Sequence, residues 1–90
     1  MNEKYIRKLI VDIIIEEFGE DIKEIDVELI THMDLIEDLG MTSVVFISIV
    51  VRIEEALNII VPDEMLLLNN FKNVNSIISM LIKLDAVEIK

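Results

Sequence analysis

Asp38-Leu39-Gly40-Met41-Thr42-Ser43 leads into the apolar segment Val44-Val45-Phe46-Ile47-Ser48-Ile49-Val50-Val51-Arg52-Ile53, and the fold turns on how that segment is read. On propensity alone its β-branched residues would pass for a buried strand. Three features decide against a strand. Period-two alternation is absent, the segment continues through Glu54, Glu55 and Ala56, and Thr42 or Ser43 stands where a helix needs a cap. Read as a helix over 43–57, it gathers Phe46, Ile49, Val50, Ile53 and Leu57 on one side as core, with Ser48 and Glu55 opposite. Val44, Ile47 and Val51 turn towards the side of Ser43 and cannot all reach the same core. They predict an exposed apolar patch beside the serine. A serine just past a glycine turn, at the start of a helix, is itself exposed. The free N–H groups and positive dipole end there suit a phosphate attached to its hydroxyl.

Upstream, Ile6, Leu9, Ile10, Ile13 and Ile14 recur at the spacing of one helix face, which predicts a helix over 3–18. Val11 and Ile15 widen its apolar stripe, and Gly19 is placed to end it. From Glu20 to Leu39 the periodicity weakens. Ile22, Ile25, Val27, Leu29 and Leu35 sit irregularly among acids and predict a structured loop, with a helical turn near Met33–Glu37. Downstream, Asn58 closes the central helix and Ile59-Ile60-Val61-Pro62 reads as an extended connector. A short helix is expected over about 64–69, broken by Asn69-Asn70. Val74, Ile77, Ile78, Leu81 and Ile82 predict the last helix, over about 74–84, with Asn73 as its cap and a patternless tail over 85–90. The sum is an all-α chain: a small four-helix bundle of three main helices and one short one, forming a single domain over residues 1–90.

Composition supports this and narrows the function. Ninety residues make one small core, and two Gly and one Pro favour helices over a turn-rich sheet. A mean hydropathy of +0.56 argues against disorder. The net charge of −10 argues against nucleic acid as a partner and for basic partner surfaces. With no Cys there is no disulfide, thiol nucleophile or thiolate metal site. Lys4, Arg7 and Lys8 precede an apolar stretch, but Asp12 and Glu16 interrupt it and no small-residue cleavage site comes after it, unlike a signal peptide. The longest apolar run, Val44 to Val51, is too short for a bilayer. A cytoplasmic monomer that does not bind membranes is expected.

Catalytic material is poor. His32 is the lone histidine and reads as a loop residue. Asp12, Glu16, Glu17, Glu20 and Asp21 read as a solvated face, and the acids around Asp34–Asp38 lack calcium-loop spacing. The methionines read as core filling. A hydrolase built on Ser43 is disfavoured, because there is no G-x-S-x-G elbow and His32 is the only histidine available as a base.

The same residues carry a family resemblance. Asp38 to Ser43, the apolar helix ending Ile53-Glu54-Glu55-Ala56-Leu57, and Ile60-Val61-Pro62-Asp63-Glu64 resemble the acyl and peptidyl carrier proteins. That family shows a D-L-G-x-[DH]-S-[LIV] turn, an apolar helix with a terminal E-E, and an I-P-D-[ED] connector. Asn70-Phe71-Lys72-Asn73-Val74, with Ile77 and Ile78, matches the start of the family's last helix. The resemblance implies that the chain is not an enzyme. It implies a carrier whose Ser43 takes a covalent 4′-phosphopantetheine arm from coenzyme A, on which acyl or aminoacyl groups are held as thioesters. The implied partners are a phosphopantetheinyl transferase and the loading and downstream biosynthetic enzymes. They would dock on Glu37, Asp38, Met41, Thr42, Val44, Ile47, Ser48, Val51 and Glu55.

This chain departs from the pattern in ways that matter. Thr42 stands where the family often has an acid before the serine. Val45 and Ser48 stand where fatty-acid carriers place acids, and Arg52 adds a positive charge to the expected partner face. The segment from Pro62 to Val74 is longer than in typical fatty-acid carriers. It is closer to carriers of polyketide, nonribosomal-peptide or D-alanyl pathways. The alternatives are a carrier of fatty-acid synthesis, or an unmodified helical interaction module that keeps the fold without the arm.

Overall fold

The computed structural model describes residues 2–19 and 22–89, with side chains described as far as Leu84. Four α-helices account for the fold: α1 (Glu3–Phe18), α2 (Val27–His32), α3 (Ser43–Leu57) and α4 (Val74–Ile89). No strand occurs among the described residues. Helix α1 starts because the Asn2 side chain accepts the Tyr5 N–H (3.1 Å), and it ends at Gly19 with φ +58°. Its stripe is buried as Ile6, Ile10, Val11, Ile13 and Ile14, and Leu9 and Ile15 are half-buried at the margins.

The segment expected to be a loop contains α2. Asp26 caps it by accepting the Glu28 N–H (2.8 Å), and Thr31 Oγ1 donates to the Val27 carbonyl (3.0 Å). The helix is too short for a periodic stripe. It buries Ile30 and Thr31 and leaves Val27 and Leu29 exposed, which is why the sequence pattern hid it. Glu20 and Asp21, read as part of an acidic face, lie outside the described residues.

The expected short helix over 64–69 is replaced by two single 3₁₀ turns, Asp63–Met65 and Leu68–Phe71. Asn69 and Asn70 lie inside the second turn, where the Asn70 side chain donates to the Met65 carbonyl (2.9 Å). Asn70 therefore fastens the two turns together instead of breaking a helix. The last helix is capped by Asn73, whose Oδ1 accepts the Ser76 N–H (2.8 Å), and it runs past Leu84 to Ile89. Its inner face is Val74, Ile77, Ile78, Met80, Leu81 and Leu84; Ile82, expected in the core, is exposed.

Helix α1 lies at the centre of this arrangement and packs on α2, α3 and α4. Ile49, Val50 and Ile53 of α3 are buried, whereas Phe46 and Leu57, expected to be buried, are half-buried. For Phe46 the reason is visible. The fully buried aromatic position belongs to Phe71, and Phe46 covers it edge-on with ring centroids 5.0 Å apart.

Candidate functional site

The turn before α3 is built by hydrogen bonds local to Met33–Met41. Asp34 Oδ1 accepts the N–H groups of Ile36 (2.9 Å) and Glu37 (2.8 Å), and Asp38 Oδ2 accepts the Asp34 N–H (2.8 Å). Gly40 takes φ +67°, a left-handed conformation that side chains disfavour, and its N–H closes onto the Ile36 carbonyl (2.9 Å). One long-range bond seats the turn in the fold, from the Leu35 N–H to the Lys72 carbonyl, and the Met41 N–H closes the turn onto the Leu35 carbonyl, both 2.8 Å. Leu35 is fully buried, so the chain reaching Thr42 is anchored beside the start of α4.

The start of α3 separates two hydroxyls that local sequence leaves interchangeable. Thr42 is the N-cap, its Oγ1 accepting the Val45 N–H (3.2 Å). Ser43 is therefore released from capping and becomes the first residue of α3. Its side chain is exposed and makes no hydrogen bond with the described residues. A free hydroxyl beside unpaired N–H groups and the positive end of a helix can carry a phosphodiester without displacing any internal contact.

The apolar patch stands where the helical wheel placed it. Val44 is 79% exposed, Ile47 54% and Val51 44%, and with Ser43 and the exposed Glu55 they form one stripe along α3. Three other expected partner residues behave differently. Met41 is buried at 8% exposure, because its bond to Leu35 carries its side chain into the core. Ser48, expected opposite the core, is half-buried and donates to Glu17 Oε2 (2.5 Å). Asp38 is exposed, but its carboxylate is engaged by the Asp34 N–H. Glu37 and Thr42 are exposed, Thr42 with its hydroxyl occupied as the cap.

Arg52 also leaves the expected partner face. Its guanidinium meets Glu17 Oε2 through Nε (2.7 Å) and Glu16 through Nη1, which fastens α3 to α1. With Ser48 and Arg52 both turned to α1, the exposed stripe is left apolar along most of its length.

The sequence reading missed the structural carboxylates. Asp34, two residues before Ile36, has the spacing of an Asx turn and could have been found that way. Glu54 gives no local signal. It looks like half of an acidic pair, yet it is half-buried and its Oε2 accepts the Val61 N–H (2.9 Å), drawing the connector back onto α3. Among the described residues no group of three or more His, Cys, Asp or Glu is placed to hold a metal ion, and His32 is exposed beside Glu28.

The family model for the phosphopantetheine attachment site matches residues 8–81, most of the chain. The chain belongs to the phosphopantetheine-binding carrier family. It is therefore a carrier protein whose family bears covalently attached 4′-phosphopantetheine and does not itself catalyse reactions. Membership implies a phosphopantetheinyl transferase and biosynthetic enzymes as partners of the carrier. No curated protein and no solved structure matches the chain significantly. No helix among the described residues is long and apolar enough to cross a membrane.

Proposed function

We propose that Ser43 is the attachment residue, and that residues 1–90 act as a monomeric, cytoplasmic carrier of acyl or aminoacyl groups. The observation that carries this reading is the unengaged, exposed Ser43 hydroxyl on the first turn of α3, with capping left to Thr42. When bound, the arm supplies a terminal thiol that holds its cargo as a thioester. The chain's own part is to present the hydroxyl, to set helix N–H groups beside the phosphate, and to offer a docking stripe.

The pathway we infer is specialised, of the polyketide, nonribosomal-peptide or D-alanyl type. Val45 and Ser48 replace the acids of fatty-acid carriers, and the charge of Arg52 is spent on Glu16 and Glu17. That leaves Val44, Ile47 and Val51 to make an apolar contact, with Glu37 and Glu55 at its rim. A partner with an apolar groove and a basic edge fits this surface better than one that is basic throughout.

The test is intact mass after incubation with coenzyme A and a broad-specificity transferase. The wild-type chain should gain one arm and Ser43→Ala none. A wild-type chain that gains nothing, or a Ser43→Ala chain that still gains an arm, overturns the assignment.

A further inference from the structure

A cleft of about 490 Å³ is lined by the 3₁₀ turns, the residues that lead into α4 and α4 itself as far as Lys83, apart from the docking stripe on α3. No carboxylate lines it among the described residues, although the chain carries 18 acids against 8 Lys and Arg. Its polar lining is amides, hydroxyls and one ammonium.

Hydrogen bonds fix which way three of the four amides face. Asn70 donates its NH2 to the Met65 carbonyl (2.9 Å), which leaves its oxygen as an acceptor, and the other two are turned the opposite way. Asn73 Oδ1 accepts the Ser76 N–H (2.8 Å), and Asn75 Oδ1 accepts from Arg7 Nη1 (2.9 Å). Both partners can only donate, so the oxygen of each asparagine is committed and its NH2 group is the end left over. Ser76 and Ser79 add hydroxyls to the same cleft, and Lys83 adds a positive charge with no ion pair among the described residues. Met65 and Met80 supply an apolar side. Donors outnumber the acceptors left uncommitted, in a cleft that no carboxylate lines among the described residues.

We propose that this cleft is a second binding site, for a small ligand that presents a carboxylate or phosphate to Asn73, Asn75 and Lys83 and lays a short apolar body on the half-buried Met65. Such a site works independently of Ser43. It gives the carrier a means of sensing a free anionic metabolite while α3 engages enzymes.

The experiment titrates the full chain, in wild-type and Ser43→Ala forms, at constant ionic strength. The side-chain amide NMR signals of Asn73 and Asn75 are followed against inorganic phosphate, butyrate and neutral butyramide. Saturable shifts of both amides with butyrate or phosphate, equal in the two forms and absent with butyramide, are the expected result. Butyrate binding tighter than phosphate assigns the carboxylate, and the reverse assigns the phosphate. Lys83→Gln should weaken binding about fivefold, the size of one exposed ion pair, with the melting temperature unchanged because Lys83 is exposed. No saturable shift, equal shifts with butyramide, or an affinity that Lys83→Gln leaves untouched would each overturn the site.

Discussion

Ser43 and Ser48 lie on the same helix and differ in what their hydroxyls are free to do. Ser43 sits on the first turn with Thr42 doing the capping, exposed and without a hydrogen-bond partner among the described residues. Ser48 faces α1 and donates to Glu17, a carboxylate only 11% exposed that also receives Arg52. A hydroxyl available for modification and a hydroxyl spent on packing can thus stand little more than one turn apart. The neighbouring element decides which is which. The same contrast repeats at the far end of α3, where Glu54 holds the Val61 N–H and Glu55 is left exposed.

The sharpest break in the comparison is chemical. Ser43→Ala should abolish loading by coenzyme A and transferase, read by mass, while changing stability by well under about 1 kcal/mol, since the cap is Thr42. Ser48→Ala should load at the wild-type rate. If Ser48→Ala also failed to load while remaining folded, the division between the two serines would not hold.

The core beneath both serines gives the largest expected stability change. Ile53 is fully buried, and Ile53→Ala should cost about 2–5 kcal/mol in chemical denaturation. A loss near zero would mean that α3 is rotated and that the exposed stripe is misplaced with it.

Smaller effects sharpen the contrast between capping and packing. Thr42→Ala should cost about 1 kcal/mol through the lost cap, and Ser48→Ala a similar amount through the lost bond to Glu17. Equal melting temperatures for Ser43→Ala and Thr42→Ala would show that the two residues share the cap.

The smallest stability changes belong to the stripe. Val51→Asp should shift stability by no more than about 0.5 kcal/mol, because its side chain already meets water, yet it should slow transferase loading by placing a charge in an apolar contact. Glu55→Lys should also slow loading, and less so at high salt, as an exposed charge facing a basic edge requires. Loading rates at low and high ionic strength, beside melting curves, separate the two variants. Unfolding of Val51→Asp with normal loading of the folded fraction would return Val51 to the core.

Several features of this protein were set by the sequence alone, because they depend on neighbours along the chain. Helices α1, α3 and α4 are dictated by apolar spacing, and the stops at Gly19 and Asn58 by residues that tolerate positive φ. The exposed stripe of Val44, Ile47 and Val51 is a consequence of helical geometry and was legible in the same way. Helix α2 was not, since a helix of one to two turns with only Ile30 and Thr31 buried leaves no periodic mark. Nor was the fate of Met41, Ser48, Arg52 and Glu54. Each could have faced solvent on local grounds. Ser48, Arg52 and Glu54 were claimed by groups outside their own turns, namely Glu17, Glu16 with Glu17, and the Val61 N–H, and Met41 was taken into the core. Polar side chains and flexible methionines satisfy themselves wherever a partner comes within reach. Only the packing of α1, α3 and the connector determined which partners those were.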